Sequence, residues 1–170
     1  MPFWRSYFHL VWTTKDRQSL ISESIEPRLY AQMVNKSTEM GCYVHAINGI
    51  PDHVHLVLTI PPKHSVAEVV KMLKGASAHF INQVLHPMEF HFQWQRGYGC
   101  FSLGHNQLPR AIDYVQSQKE HHAQQTTNAW LERVSELDEG PPLVDDAHAK
   151  RTDMLREAPA HYDAWGDTPF

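Results

Sequence analysis

The order of segments along this chain, β-α-β-β-α-β with a further helix behind them, predicts an α+β fold. It is expected to be an antiparallel split-βαβ sheet of the ferredoxin-like or RRM-like type, with helices on one face and a C-terminal helix that carries Tyr114. Two patterns predict it: short runs rich in aromatic and β-branched residues, and stretches between them with apolar residues at helical spacing. Ser6 to Thr14 (SYFHLVWTT) reads as the first strand and ends at Lys15-Asp16-Arg17. Glu26 to Met40 places Leu29, Tyr30, Met33, Val34 and Met40 on one helical face, with Pro27 at its start and Gly41 just past its end. Cys42 to Ile50 and His53 to Ile60 form a hairpin across Pro51-Asp52, and Pro61-Pro62 stops its second arm.

The second long helix is expected from Ser65 to about Leu85. Ser65 is its N-cap, Glu68 stands in the capping-box position, and Val66, Val69, Val70, Leu73, Phe80 and Val84 share one side. Residues 90 to 103, aromatic and punctuated by glycine, read as a fourth strand with a bend at Gly97 or Gly99. A third helix is expected from Gln107 to Gln124. No repeat or low-complexity tract interrupts this order. The expected organisation is one domain over residues 1–125 and an acidic C-terminal extension over 126–170. The extension is read as partly docked, because it carries Trp130, Leu131, Val134, Leu137, Leu155, Tyr162, Trp165 and Phe170.

The composition narrows the function classes. Of the 170 residues, 42% are hydrophobic, enough for a real core. Cys42 and Cys100 make neither a disulfide framework nor a C-x-x-C pair. No segment approaches the ~20 apolar residues of a spanning helix, and the N-terminus lacks the pattern of a secretory leader. The expectation is a cytoplasmic protein with no membrane partner. The net charge of −4 conceals an uneven distribution: residues 1–130 hold 11 Lys and Arg against 9 Asp and Glu, and residues 131–170 hold 4 against 10. A body of +2 is too weak to predict tight, indiscriminate duplex binding but permits a local basic groove for one strand or hairpin.

The chemistry centres on His53-Val54-His55, inside Pro51-Asp52-His53-Val54-His55-Leu56-Val57-Leu58. Residues i and i+2 of a strand face one side, roughly 7 Å apart, so both imidazoles can reach one ion. With 13 histidines in the chain, an H-x-H triplet alone is weak evidence. Its place in an interior strand matters more, since two buried polar rings need partners. Spacing alone leaves open a metal pair or two hydrogen-bonded structural histidines. On the third helix, Leu108, Ala111, Ile112 and Val115 define the apolar face, and Tyr114 and Gln118 border it together, continued by His121. A glutamine carbonyl suits a hard cation such as Mg²⁺ or Mn²⁺, although Tyr114 could equally be a core-edge tyrosine.

Four stretches taken in order resemble a known family. They are Pro51-Asp52-His53-Val54-His55-Leu56-Val57, Lys74-Gly75-Ala76-Ser77, Trp94-Gln95-Arg96-Gly97-Tyr98-Gly99, and Tyr114-Val115-x-x-Gln118-x-Glu120-His121-His122. They resemble the single-tyrosine HUH transposases of the TnpA insertion-sequence type and their REP-associated relatives, over residues 5 to 125. The resemblance implies a metal-assisted DNA strand transferase that nicks and rejoins single-stranded DNA at hairpin-bearing ends through a 5′-phosphotyrosine. Tyr114 would be the nucleophile, and His53, His55 and Gln118 the ligands of a divalent metal, Mg²⁺ or Mn²⁺. It also implies a homodimer, with the tyrosine helix able to complete the partner's site, in a bacterial cytoplasm or nucleoid.

Lys71 and Lys74 lie where such proteins hold DNA, and Arg5, Lys15, Arg17 and Arg96 extend a positive path; ordinary solvated charge is the competing reading. Trp94 and Tyr98 are stacking candidates or core aromatics, and His121 and His122 are explained equally well as polar caps of the helix C-terminus. Two other readings remain at this point. A domesticated or catalytically silent hairpin or single-strand binder would need no set of His53, His55, Tyr114 and Gln118. A hydrolase using water would leave Tyr114 without a task and would need Asp52 or Glu120 turned inward as base.

Overall fold

The structure is a computed structural model and describes residues 4–85, 91–129 and 131–134. By contacts the chain divides after residue 136, and all the described residues belong to the first unit. Four antiparallel strands run in the order β2-β3-β1-β4: β1 Tyr7–Thr13, β2 Tyr43–Ile50, β3 His53–Thr59 and β4 Gly99–Leu103. This is the expected split-βαβ sheet, with β3 and β1 as its two central strands. Every residue of β3 from His53 to Leu58 is buried, as an interior strand requires.

Alternation along the strands gives the sheet two different faces. Leu10 and Trp12 of β1 and Val54, Leu56 and Leu58 of β3 pack on Leu29 and Met33 of α1 (Glu26–Glu39) and on Val69, Val70 and Leu73 of α2 (Val66–Phe80). Burial of each such side chain is worth roughly 1.5–3 kcal/mol, so this layer supplies most of the drive to fold. His9, Val11 and Thr13 lie on the opposite face beside Val57, His55 and His53, their directly paired partners on β3. That face is covered by α3 (Leu108–Gln116) and α4 (Gln118–Gln124), whose Ala111, Val115 and Gln118 are buried.

The helix ends follow local rules. Gly41, at φ +74, ends α1 in the left-handed conformation that glycine adopts without a Cβ penalty. Ser65 caps α2 by accepting the Glu68 N–H at 3.1 Å, an interaction worth about 1 kcal/mol. The Glu68 carboxylate turns to His64 at 3.3 Å, so half of the expected capping box forms. Helix α2 passes into a π-helical turn, Ile81–Leu85.

Two elements differ from the sequence expectation. The fourth strand is only Gly99–Leu103; before it, the described residues 91–98 hold lone bridge residues, Trp94 (to Thr14) and Tyr98, rather than a continuous strand. Gln93 and Gln95 pair with the chain at the end of β1, the Gln93 carbonyl accepting from Lys15 N–H and Gln95 N–H donating to the Thr13 carbonyl, both at 2.9 Å, while other backbone groups of the stretch are held by side chains. Asn82 binds the Phe92 carbonyl and N–H at 2.9 and 2.8 Å, and Lys74 Nζ donates to the carbonyls of Gln95 and Gly97 at 2.6 and 2.8 Å. Gly97, at φ +77, then turns the chain.

The third helix is also divided, at Ser117 (φ −92, ψ 12). The Gln116 carbonyl, which an unbroken helix would spend four residues on, accepts instead from Asn48 Nδ2 of β2 at 2.7 Å. Tyr114 and Gln118 therefore stand on either side of a break. In the C-terminal extension, Leu131 is buried; Trp130, Leu137, Leu155, Tyr162, Trp165 and Phe170 lie outside the described residues.

Candidate active site

The histidines of β3 are buried on the sheet face that α3 and α4 cover, with 1% exposure for His53 and none for His55. Each ring has its Nδ1 engaged from behind. His53 Nδ1 lies 2.6 Å from Asp52 Oδ1, and His55 Nδ1 lies 2.8 Å from His9 Nε2 on the neighbouring strand. Asp52 is in turn 3.4 Å from Arg17 Nη1. Such partners fix a ring's orientation and leave Nε2 to act, the arrangement common to metal-binding histidines.

Both Nε2 atoms point at one place. Glu132 Oε2 lies 3.1 Å from His55 Nε2 and 3.3 Å from His53 Nε2, and His122 Nε2 of α4 is 3.1 Å from His53 Nε2. Ligand atoms of His53, His122 and Glu132 fall within 4.8 Å of one another, close enough to share a cation. The other Glu132 oxygen, Oε1, accepts the Tyr114 hydroxyl at 2.7 Å. The same phenol oxygen accepts the Asn128 N–H at 3.2 Å, and the His121 ring stacks on Tyr114 at 5.0 Å.

Gln118 is fully buried. Its Nε2 makes a long 3.5 Å contact to the Tyr114 carbonyl, and its Oε1 has no hydrogen-bond partner among the described residues. A buried amide oxygen without a partner costs about 1–3 kcal/mol, and a cation would satisfy it. Two imidazole nitrogens and a carboxylate, from His53, His122 and Glu132, therefore form a donor set that fits a divalent ion, and the orphan amide oxygen of Gln118 is a further hard donor.

The electrostatics follow from crowding. Burial alone would depress the His53 pKa, but hydrogen bonds to Asp52 and Glu132 outweigh it and raise the pKa above the ordinary value. Burial lowers that of His55, and it lowers that of His9 to about 3, with repulsion from His55 adding to it. For Glu132 burial pulls upward, yet hydrogen bonds from His53, His55 and Tyr114 hold the carboxyl far below its usual range. Burial pushes the Tyr114 phenol up to about 12; Glu132 adds to the rise, while Gln118 and the Asn128 N–H oppose it.

The structure thus brings His53, His55 and Tyr114 together in one chain through Glu132, while Gln118 contacts Tyr114 from across the helix break. The basic residues separate into different situations. Lys74 is tied to two backbone carbonyls, and its desolvated ammonium has a pKa lowered to about 8, so it braces the 95–97 loop. Arg17 leans on Asp52, and Lys15 lies 3.6 Å from Asp16. Lys71 and Arg96 line a groove of about 660 Å³ between α2 and residues 91–98, with Trp94 and Tyr98 among its walls. Arg5 is exposed ahead of β1.

Sequence reasoning did not single out His9, Asn128 or Glu132. His9 has a readable signal, a histidine among the apolar residues of a central strand; Asn128 and Glu132 have none, since only the path of the chain after α4 brings them to the histidines. His122 was explicable as a polar cap of the helix, and the structure adds its contact with His53.

The sheet, the buried histidine pair and the adjoining tyrosine define the single-tyrosine HUH class of transposase. Residues 2–118 match the family described as "Transposase IS200 like", and the chain belongs to that family of DNA-acting enzymes. It is 28% identical over 115 residues to the ISDra2 transposase TnpA of Deinococcus radiodurans, covering 65% of this chain and 82% of that one. It is also 28% identical over 123 residues to the transposase of insertion sequence IS200 of Salmonella typhimurium, covering 69% and 79%. A crystal structure of a candidate transposase from D. radiodurans superposes with a TM-score of 0.55 at 26% identity, over 69% of this chain and 93% of that one. The fold also matches a REP-associated tyrosine transposase bound to a REP hairpin, with a TM-score of 0.55 at 14% identity over 81% of each chain. Among the described residues no helix is long and apolar enough to cross a membrane.

Proposed function

We propose that this transposase nicks and rejoins single-stranded DNA at hairpin-bearing ends, with Tyr114 as nucleophile and His53, His55 and Gln118 as ligands of Mg²⁺ or Mn²⁺. The observation that carries this reading is the convergence of the His53 and His55 Nε2 atoms beside the Tyr114 hydroxyl, each ring fixed from behind through Nδ1. The hairpin as substrate is supported by the shared fold with the REP-associated transposase, whose structure holds one.

In the cleavage step Tyr114 Oη forms a bond to phosphorus and the bond from phosphorus to the 3′-oxygen breaks. The phenolic proton is lost and the departing oxygen gains one, leaving a 5′-phosphotyrosine and a 3′-OH. The reverse attack by a 3′-OH joins new ends without ATP, because the phosphotyrosine conserves the energy of the broken linkage. A phenol with a pKa near 12 is a weak nucleophile at neutral pH. A divalent ion bound here supplies polarisation of the phosphate and offsets its developing charge. Glu132, held far below its ordinary pKa, is a poor proton acceptor; it orients the hydroxyl rather than ionising it.

Domain organisation belongs to the same proposal: a catalytic domain over residues 1–125 and an acidic extension over 126–170, in a cytoplasmic homodimer. Because Tyr114 lies at the histidines of its own chain, each site is taken to work in cis. Lys71, Arg96, Arg5, Lys15 and Arg17 are the proposed DNA contacts, with Lys74 contributing by holding the loop that presents Arg96.

The deciding experiment is incubation with labelled hairpin-bearing single-stranded DNA and Mn²⁺, followed by mass mapping of DNA–peptide adducts. An adduct on Tyr114 is expected, abolished by excess chelator and reduced sharply in His53→Ala. Hairpin binding with no adduct under any metal would instead identify a silent binder.

A further inference from the structure

The residues proposed for the metal leave unexplained a carboxylate that lies within 3.3 Å of the Nε2 atoms of both histidines. Glu132 is only 16% exposed, and its two oxygens face different parts of the site: Oε2 faces the Nε2 atoms of His55 and His53, while Oε1 takes the Tyr114 hydroxyl. Its position is built by the chain around it. Leu131 is buried beside it, and the Asn128 N–H reaches the same phenol oxygen.

Gly99 makes room for that segment. It sits in β4 opposite Val11, on the sheet face that holds the histidines. A Cβ there would collide with the Arg133 carbonyl oxygen and come within 2.7 Å of Val11 Cγ1. The strand thus lacks a side chain where the Arg133 backbone crosses it, next to Glu132.

We infer that Glu132 is itself a ligand of the divalent cation, acting with His53 and His55, and that its second oxygen positions the Tyr114 hydroxyl at that cation. The inference rests on the proposed metal site and adds to it a residue from the segment beyond α4. Two imidazoles and one carboxylate suit Mn²⁺ better than Mg²⁺, which favours an all-oxygen shell. A carboxylate shared between the cation and the phenol makes metal binding and nucleophile placement one event. In the metal-free protein the same carboxylate satisfies both rings and the hydroxyl, so no buried charge is left unpaired.

Mn²⁺ binding to the full chain, followed by titration calorimetry and by the electron paramagnetic resonance signal of unbound Mn²⁺, tests this without reference to cleavage. Glu132→Ala is expected to weaken the Mn²⁺ Kd by at least about tenfold, the range seen when groups supporting a metal site are lost. Glu132→Gln, nearly the same shape, keeps the fold if alanine does not and should also weaken binding. Melting in chelator monitors the fold. Unchanged or tighter Mn²⁺ binding in both variants would overturn the inference, the second result marking Glu132 as a plug. His53→Ala provides the reference: if wild type binds no Mn²⁺ that His53→Ala loses, the metal site itself is wrong, whereas loss in His53→Ala alone removes only the role of Glu132.

Discussion

The Tyr114 hydroxyl donates a 2.7 Å hydrogen bond to Glu132 Oε1, eighteen residues further along the chain. This bond ties the α3 tyrosine to a carboxylate that also contacts His53 and His55, so the phenol and the two imidazole rings are held as one network. Networks of this kind act as units, and substitutions within one do not add.

Tyr114→Phe is expected to abolish cleavage and covalent attachment while changing hairpin affinity less than about threefold. The phenylalanine ring keeps the stacking surface for His121 and loses only the attacking oxygen. Gel-resolved cleavage and filter binding on the same hairpin check the two halves separately. Undiminished cleavage would sink the assignment of the nucleophile.

A site complete within one chain predicts that mixing His53→Ala and Tyr114→Phe proteins restores no cleavage. A site shared across a dimer would restore a measurable fraction, because one composite site would regain both intact halves. Co-expression with two affinity tags, followed by a cleavage assay on the doubly purified species, separates these outcomes.

Lys74→Met should destabilise the protein by about 1–3 kcal/mol, since it leaves the Gln95 and Gly97 carbonyls without their donor. Urea unfolding measures the change. A purely DNA-contacting lysine would leave stability untouched, and an unchanged midpoint would show that the loop does not depend on it.

His9 makes stability pH-dependent in a defined direction. Its folded-state pKa, lowered to about 3, lies below that of the unfolded chain, so its contribution is full above the unfolded value and is lost as pH falls. Between pH 7.5 and 5 the loss is on the order of 2 kcal/mol. His53 runs the other way: its raised pKa gives stability present below the unfolded value and lost as pH rises through the folded one. Urea unfolding in chelator at the two pH values should therefore show a smaller loss on acidification for His9→Asn than for wild type. An equal loss in both would show that His9 is not the group that resists protonation.

Much of this molecule was legible in the residues. The strand and helix order, the burial of His53 and His55 and the neighbourhood of Tyr114 and Gln118 follow from local periodicity, because alternation and helical spacing are set by backbone geometry. Over the described residues 91–98 the fourth strand does not extend as far as the sequence suggests. Aromatic density there looks like strand propensity, but Asn82 and Lys74 take the Phe92 N–H and the Phe92, Gln95 and Gly97 carbonyls, which leaves only a short bridge to the end of β1. The unbroken third helix failed for a similar reason: Asn48, on a strand 68 residues away, takes the Gln116 carbonyl.

By itself, the sequence determined which side chains face which side of each strand and helix, and hence that two histidines would need partners. Only the tertiary structure decided who those partners are. His9 reaches His55 through strand pairing, and Glu132 reaches both rings because the chain after α4 crosses the sheet at Gly99. Periodicity operates over a few residues, whereas a buried carboxylate is placed by long-range packing and by the cost of leaving charge unpaired.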